Sequence, residues 1–149
     1  MDTMTVTHGD YLISTDKEKL QLDVIFEYLS ERSYWANGRS YDTFHRSVNG
    51  SLCFGIYHFD KQVGFARVIT DFGTFAYLAD VFVLEEYRGR GLSKWLMEVI
   101  LADPELQTVK RWLLATADAH GLYSKYGFTQ LSKPERWMEM GRPNAVNQT

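Results

Sequence analysis

The sequence is poor in cysteine and proline and has no long apolar run. One cysteine, Cys53, and three prolines stand in 149 residues. A lone cysteine cannot close an internal disulfide, so a core must hold the fold, and the thiol suits a reducing compartment. No apolar stretch approaches the ~20 residues that a helix needs to cross a bilayer. Positive charge is short too. Sixteen Lys and Arg against 19 Asp and Glu leave a net charge of -3, which argues against a broad nucleic-acid surface. The first ten residues are polar and lack the basic-then-apolar order of an export signal, so a cytoplasmic protein is expected. His8, His45, His58 and His120 follow no metal-ligand spacing, and no metal is expected. What is abundant is apolar and aromatic material, 45% and 15% of the chain. That is enough for one packed domain over 1–149, with a loose polar tail over 141–149.

The order of elements follows from periodicity. Tyr11 to Ile13 reads as a strand. Thr15 and Glu18 have the spacing of a capping box, and Leu22, Ile25, Phe26 and Leu29 give the following helix one buried stripe. Residues 33–48 read as a loop and a short second helix. After the Asn49-Gly50 turn, Leu52 to Tyr57, Val63 to Thr70 and Ala76 to Val83 read as three antiparallel strands. Leu92, Trp95, Leu96, Val99 and Ile100 then mark a helix face closed by Pro104. Trp112 to Thr116 reads as a buried strand and Ala119 to Tyr126 as a helix ended by Gly127. Phe128 to Leu131 and Trp137 to Met140 read as two closing strands. The class is α/β (α+β in looser usage), a mixed, mostly antiparallel sheet with interleaved helices.

One segment carries chemistry. Asp80-Val81-Phe82-Val83 runs through Leu84-Glu85-Glu86-Tyr87 into Arg88-Gly89-Arg90-Gly91-Leu92-Ser93, a strand entering a glycine-bearing turn and then a helix start. Such a turn leaves backbone N–H groups converging, and the helix dipole adds positive potential, so it suits a phosphate or diphosphate. Gly89 and Gly91 carry no side chain to hold a phosphate away, and Arg88 and Arg90 add cationic donors. The dinucleotide fingerprint fails because Lys94 stands where its last glycine belongs. The Walker pattern fails because Leu92 follows Gly91.

The segment instead resembles the pyrophosphate loop of the GNAT superfamily of N-acetyltransferases, Gln/Arg-x-x-Gly-x-Gly/Ala. It matches at Arg88 and Gly91, with Ser93 in place of the final Gly/Ala. Downstream, Leu122-Tyr123-Ser124-Lys125-Tyr126-Gly127-Phe128 resembles the family's Leu-Tyr-x-x-x-Gly-Phe signature, and Val63 to Arg67 resembles its third-strand segment. The resemblance spans residues 52–131.

The resemblance implies a sheet whose central strands splay, with acetyl-CoA as acyl donor in the gap. Backbone groups of Val81, Phe82 and Val83 would line the pantetheine arm, and the Val83 amide would face the thioester carbonyl. Residues Arg88 to Ser93 would hold the diphosphate. Thr116 occupies the position where the family often has a pantetheine-binding Asn. An amine of a small molecule or peptide would attack directly through a tetrahedral intermediate, with Tyr123 protonating the leaving thiolate. Asp80 and His120 are the candidate bases, against plainer roles as a partner of Arg67 and a helix cap. Tyr34, Trp35, Arg39, Tyr41, Phe44 and His45 lie where the family covers its acceptor, and would suit an aromatic or carboxylate-bearing amine. Cys53 reads as buried rather than nucleophilic. A non-catalytic acyl-CoA-binding regulator and a ligand-free interaction module are the competing functions. Neither nucleic acid nor membrane is an expected partner, and homodimerisation is left open.

Overall fold

The computed structural model describes residues 2–142. Six strands form one sheet in the order β1-β2-β3-β4-β5-β6. They are β1 (Thr5–His8), β2 (Tyr11–Ser14), β3 (Leu52–His58), β4 (Lys61–Thr70), β5 (Phe75–Val83) and β6 (Arg111–Leu114). Neighbours pair antiparallel except β5 and β6, which run parallel. The helices are α1 (Leu22–Glu27), α2 (Tyr41–Asn49), α3 (Leu92–Ala102) and α4 (His120–Ser124). The mixed, mostly antiparallel architecture read from the sequence is therefore present.

The interior of β3 and almost all of β4 are buried residue after residue rather than alternately. Both faces of the sheet centre are therefore covered. Phe54, Ile56 and Phe65 pack there with Ile25 of α1, Phe44 of α2 and Leu96, Met97 and Ile100 of α3. One π-helical turn, Tyr28–Arg32, extends α1. It lays Tyr28 flat on Phe82, ring centroids 4.1 Å apart.

Two irregularities of β5 shape everything downstream. Its pairing with β4 jumps from Phe65↔Phe82 to Arg67↔Ala79, so Asp80 and Val81 together stand opposite Ala66 in a bulge. Asp80 takes a left-handed backbone, φ 54°. Pairing with β6 then runs only from Phe75↔Arg111 to Leu78↔Leu114. Beyond Leu78 that side of β5 has no strand partner among the described residues.

Several elements differ from their sequence reading. β1 was not expected, because its four residues are largely exposed and show no apolar alternation. The capping box does not form. Thr15 turns inward to accept from the Met4 amide at 2.8 Å, while Asp16 caps a short 3-10 turn by accepting from Glu18 N. β6 stops at Leu114, short of Thr116. Neither closing strand exists: 128–131 and 137–140 are irregular. Pro134 lies between them and starts a 3-10 turn, and Met138 and Met140 are 97% and 77% exposed. The apolar letters there face no second layer that could bury an alternating face. The expected loose tail lies outside the described residues from position 143 onward.

Candidate functional site

Where β5 and β6 part, a cleft of about 370 Å³ opens. Its walls are β5 from Tyr77 to Val81, the chain from Leu114 to Ala119, and Tyr123 of α4; Tyr34 and Trp35 roof it. Further along β5, Val83 leads to a second hollow of about 210 Å³, lined by Tyr87, Arg88, Gly89, Gly91, Leu92, Ser93, Lys94 and Leu122.

The second hollow sits at the start of α3. Gly91 is the N-cap, with no side-chain cap bond, and the first amides of a helix have no partner within it. Gly89 and Gly91 both have left-handed backbones, φ 78° and 77°. An added Cβ at either would meet nothing within 4 Å, so the backbone angle, not crowding, calls for glycine. The geometry offers converging N–H groups and the positive helix end to an anion. Arg88 lines this hollow, although its guanidinium donates from Nε to Val83 O at 3.0 Å and from Nη2 to Tyr28 Oη at 2.6 Å. Arg90 does not line it. Its Nη1 donates to Tyr11 Oη at 2.9 Å, and its guanidinium lies over the Tyr87 ring. Lys94 is among the lining residues.

On β5, Leu84 N donates to Val63 O at 2.8 Å, toward β4. Successive strand amides point to opposite sides, so the N–H of Val83 and of Val81 face the unpaired side. Phe82 faces the other way, into the core against Tyr28, and lines neither hollow.

Across the cleft, Tyr123 is 8% exposed, and its hydroxyl makes no hydrogen bond to protein among the described residues. Its ring packs edge-on to Phe128, centroids 6.0 Å apart. Burial pushes its pKa up to about 12, helped by Tyr34 and Asp118. Thr116 lines the cleft while its Oγ1 accepts from Asp118 N and Ala119 N, fastening the entry to α4. His120 opens α4 at an exposed position and lines neither hollow.

Asp80 lines the cleft but its carboxylate is 1% exposed and held by three donors. Trp35 Nε1 reaches Oδ1 at 2.7 Å, Arg39 Nη1 reaches Oδ2 at 2.8 Å and Arg67 Nε reaches Oδ2 at 2.6 Å. Burial would raise this carboxyl, but the Arg39 hydrogen bond and the charges of Arg67 and Arg39 outweigh it and hold the pKa below its ordinary value. The Arg67 pairing read from the sequence is thus present, joined by two donors from the roofing loop.

Of the residues expected around an acceptor, Tyr34 and Trp35 line the cleft. Arg39 is committed to Asp80, Phe44 is core, and Tyr41 stacks with His45 on α2. Asp118, two residues beyond Thr116 and also able to hydrogen-bond the arm, lines the cleft with it, and so does Tyr77, which was not singled out beforehand. No sequence-local signal marks Tyr77, because a long-range splay brings it to the cleft. Among the described residues no cluster of three or more His, Cys, Asp or Glu could hold a metal, and no helix is long and apolar enough to cross a membrane.

Comparison with known proteins agrees with this arrangement. The model of the acetyltransferase (GNAT) domain matches residues 49–130, which contain the cleft strands, both glycines and α4. A Gibberella zeae protein provisionally named acetyltransferase FG08082 is 34% identical, over 80% of this chain and 78% of its own length. A crystal structure from Xanthomonas campestris pv. campestris, assigned to the same family, superposes with TM-score 0.87 at 47% identity, covering 93% of this chain and 96% of that one. At fold level the likeness reaches Rv2747 from Mycobacterium tuberculosis, solved with CoA and NLQ, with TM-score 0.66 and 14% identity over 80% and 72% of the two chains. With sequence match, superposition and a splayed strand pair beside a glycine-turned helix start all agreeing, the chain belongs to the GNAT family of acetyltransferases.

Proposed function

We propose that the protein transfers an acetyl group from acetyl-CoA to a primary amine of a small molecule or peptide. One observation carries the reading. The anion cradle at α3 and the unpaired edge of β5 lie on one continuous stretch, Val81 to Ser93, with Tyr123 facing that edge. Bound CoA in the fold-level neighbour Rv2747 supports an acyl-CoA ligand.

In this reading the amides of Gly91 to Ser93, together with Arg88 and Lys94, hold the diphosphate. The pantetheine arm lies along β5 as a substitute strand. The Val81 and Val83 amides bond it, and one of them stabilises the oxyanion of the tetrahedral intermediate. The neutral amine attacks the thioester carbonyl, the C–S bond then breaks, and Tyr123 donates its proton to the departing sulfur. Arg90 serves the loop's shape from outside the cradle.

The amine proton needs a taker. Asp80 is poorly suited, since two guanidinium groups keep it ionised and weakly basic. His120 is outside the cleft. Asp118, exposed at the rim, is the other lining carboxylate, and it or solvent receives the proton.

Two measurements test the proposal. Acetyl-CoA should raise the melting temperature, as any ligand binding only the native state does, and a pantetheine analogue without the diphosphate should raise it far less. Thiol release should then appear with at least one member of a panel of amines, amino acids and peptides. Equal stabilisation by both ligands would overturn the cradle, and binding without thiol release would leave a coenzyme-binding regulator.

A further inference from the structure

We propose that Asp80 is a positioning residue whose carboxylate locks the roof of the cleft to the bulge that turns the Val81 amide outward. The inference deepens the proposed coenzyme site and rests on that reading for its functional meaning.

The three donors on Asp80 come from two separate parts of the chain. Trp35 and Arg39 belong to the roofing loop, while Arg67 projects from β4 and is itself braced by Ser51 Oγ at 3.1 Å. Asp80 therefore ties the loop to the sheet through one side chain. The loop is also fastened on the far wall. Tyr34 Oη accepts from Ala117 N at 2.8 Å, and the Tyr34 and Trp35 rings meet edge to face at 5.0 Å. The two contacts stretch the loop across the cleft from the β5 wall to the chain following β6.

The backbone of Asp80 is the second observation. Its left-handed φ of 54° sits inside the bulge, directly before Val81. Aspartate tolerates such a backbone better than most non-glycine residues, and inside a strand it is held here by three hydrogen bonds to its side chain. Without the bulge, strand alternation would be out of step by one residue between Ala79 and Val81.

The charge pattern argues against a purely stabilising role. Two buried guanidinium groups share one carboxylate, and Arg39 Nη2 is buried with no partner among the described residues. Such a cluster is weak evidence for stability, because apolar residues of similar volume often do as well. What apolar residues could not reproduce is the directional hold on Trp35, Arg39 and Arg67 at once.

The test is amide hydrogen exchange followed by NMR on the full chain, with acetyl-CoA as the probe. Trp35→Phe keeps an aromatic side chain against Tyr34 and both ion pairs while deleting one donor and the outer part of the indole at a half-buried position, so folding is preserved. Exchange at Phe82 and Leu84, whose amides face β4, should rise about fivefold, the factor expected of one net hydrogen bond, while β3, β4 and the other paired amides of β5 stay protected. Adding acetyl-CoA should protect Leu92 and Ser93 equally in both proteins, yet protect Val81 less in the variant. Asp80→Asn, if it folds, should show the same local pattern more strongly. Unchanged exchange at Phe82 in Trp35→Phe would overturn the proposal, and so would an even rise over the whole sheet. Failure of acetyl-CoA to protect Leu92 and Ser93 in the wild type would reject the coenzyme site instead, and the ligand-free comparison would still decide the lock.

Discussion

Replacing Tyr123 by Phe removes one oxygen and little else. The ring keeps its edge contact with Phe128, and the lost hydroxyl has no protein partner among the described residues. Stability should change by no more than about 0.5 kcal/mol. The catalytic cost follows from the acidities involved. Burial pushes the phenol pKa up to about 12, whereas an ordinary thiol ionises near ~8.5. Complete transfer from phenol to free thiolate is therefore uphill by ~3.5 pKa units, or ~5 kcal/mol. The proton moves only as the C–S bond stretches, and the benefit belongs at the low end of the ~100- to 10,000-fold typical of general acids. We expect kcat to fall about 100-fold, measured as thiol release at saturating acetyl-CoA. The dissociation constant for acetyl-CoA, measured by calorimetry, should stay within about twofold, since a neutral phenol touches the arm only near the sulfur. The raised pKa also means that Tyr123 keeps its proton up to about pH 10, so alkaline activity should not fall through its ionisation. Unchanged kcat would remove Tyr123 as the donor, and a parallel loss of coenzyme affinity would make it a wall of the site.

The remaining expectations are these. Arg88→Ala should weaken acetyl-CoA binding about tenfold because Arg88 lines the cradle, whereas Arg90→Ala, which chiefly frees Tyr11, should weaken it far less; equal losses would refute the distinction. Cys53 is 1% exposed and burial raises its pKa to about 11, so the native protein should resist a disulfide-forming thiol reagent until denatured; rapid native labelling would contradict the packing. Asp80→Asn should lower the free energy of unfolding by about 3–5 kcal/mol at pH 7 in a urea titration, because two buried cations lose their carboxylate. Since the folded pKa of Asp80 is lowered, its contribution is complete above the unfolded value of about 3.9 and drains away as pH falls below it. A variant with the same acid limb as the wild type would show that Asp80 is not its source.

The sequence made the skeleton readable where local pattern and burial agree. The three-strand run from Leu52 to Val83, the apolar face of α3 and the glycine-bearing turn before it all announce themselves within a few residues. The bulge does not. Ala76 to Val83 read as one uninterrupted strand, and only the side-chain ties of Asp80 to Trp35, Arg39 and Arg67, all distant in sequence, explain its backbone. The cleft lining was half visible: Tyr123, Thr116 and the neighbouring Asp118 sit near a local motif, whereas Tyr77 is brought there by the divergence of β5 from β6. Phe82 and Arg90 show the opposite error, since they stand inside the motif but face the core and β2. Apolar content misled at Trp137 to Met140, where no layer receives it. Trp137 instead stacks over the Arg111 guanidinium at 5.2 Å.

The run from the bulge to the first turn of α3 has a metrical consequence. If acetyl-CoA binds as proposed, its two grips, one near the diphosphate and one near the reacting carbon, would be spaced by covalent geometry alone, with no hinge between separate bodies. The chain would thereby gauge the length of the molecule it accepts. Adding or deleting a single residue between Val83 and Gly91 would shift one grip against the other, leaving a tightly held donor with its thioester out of reach.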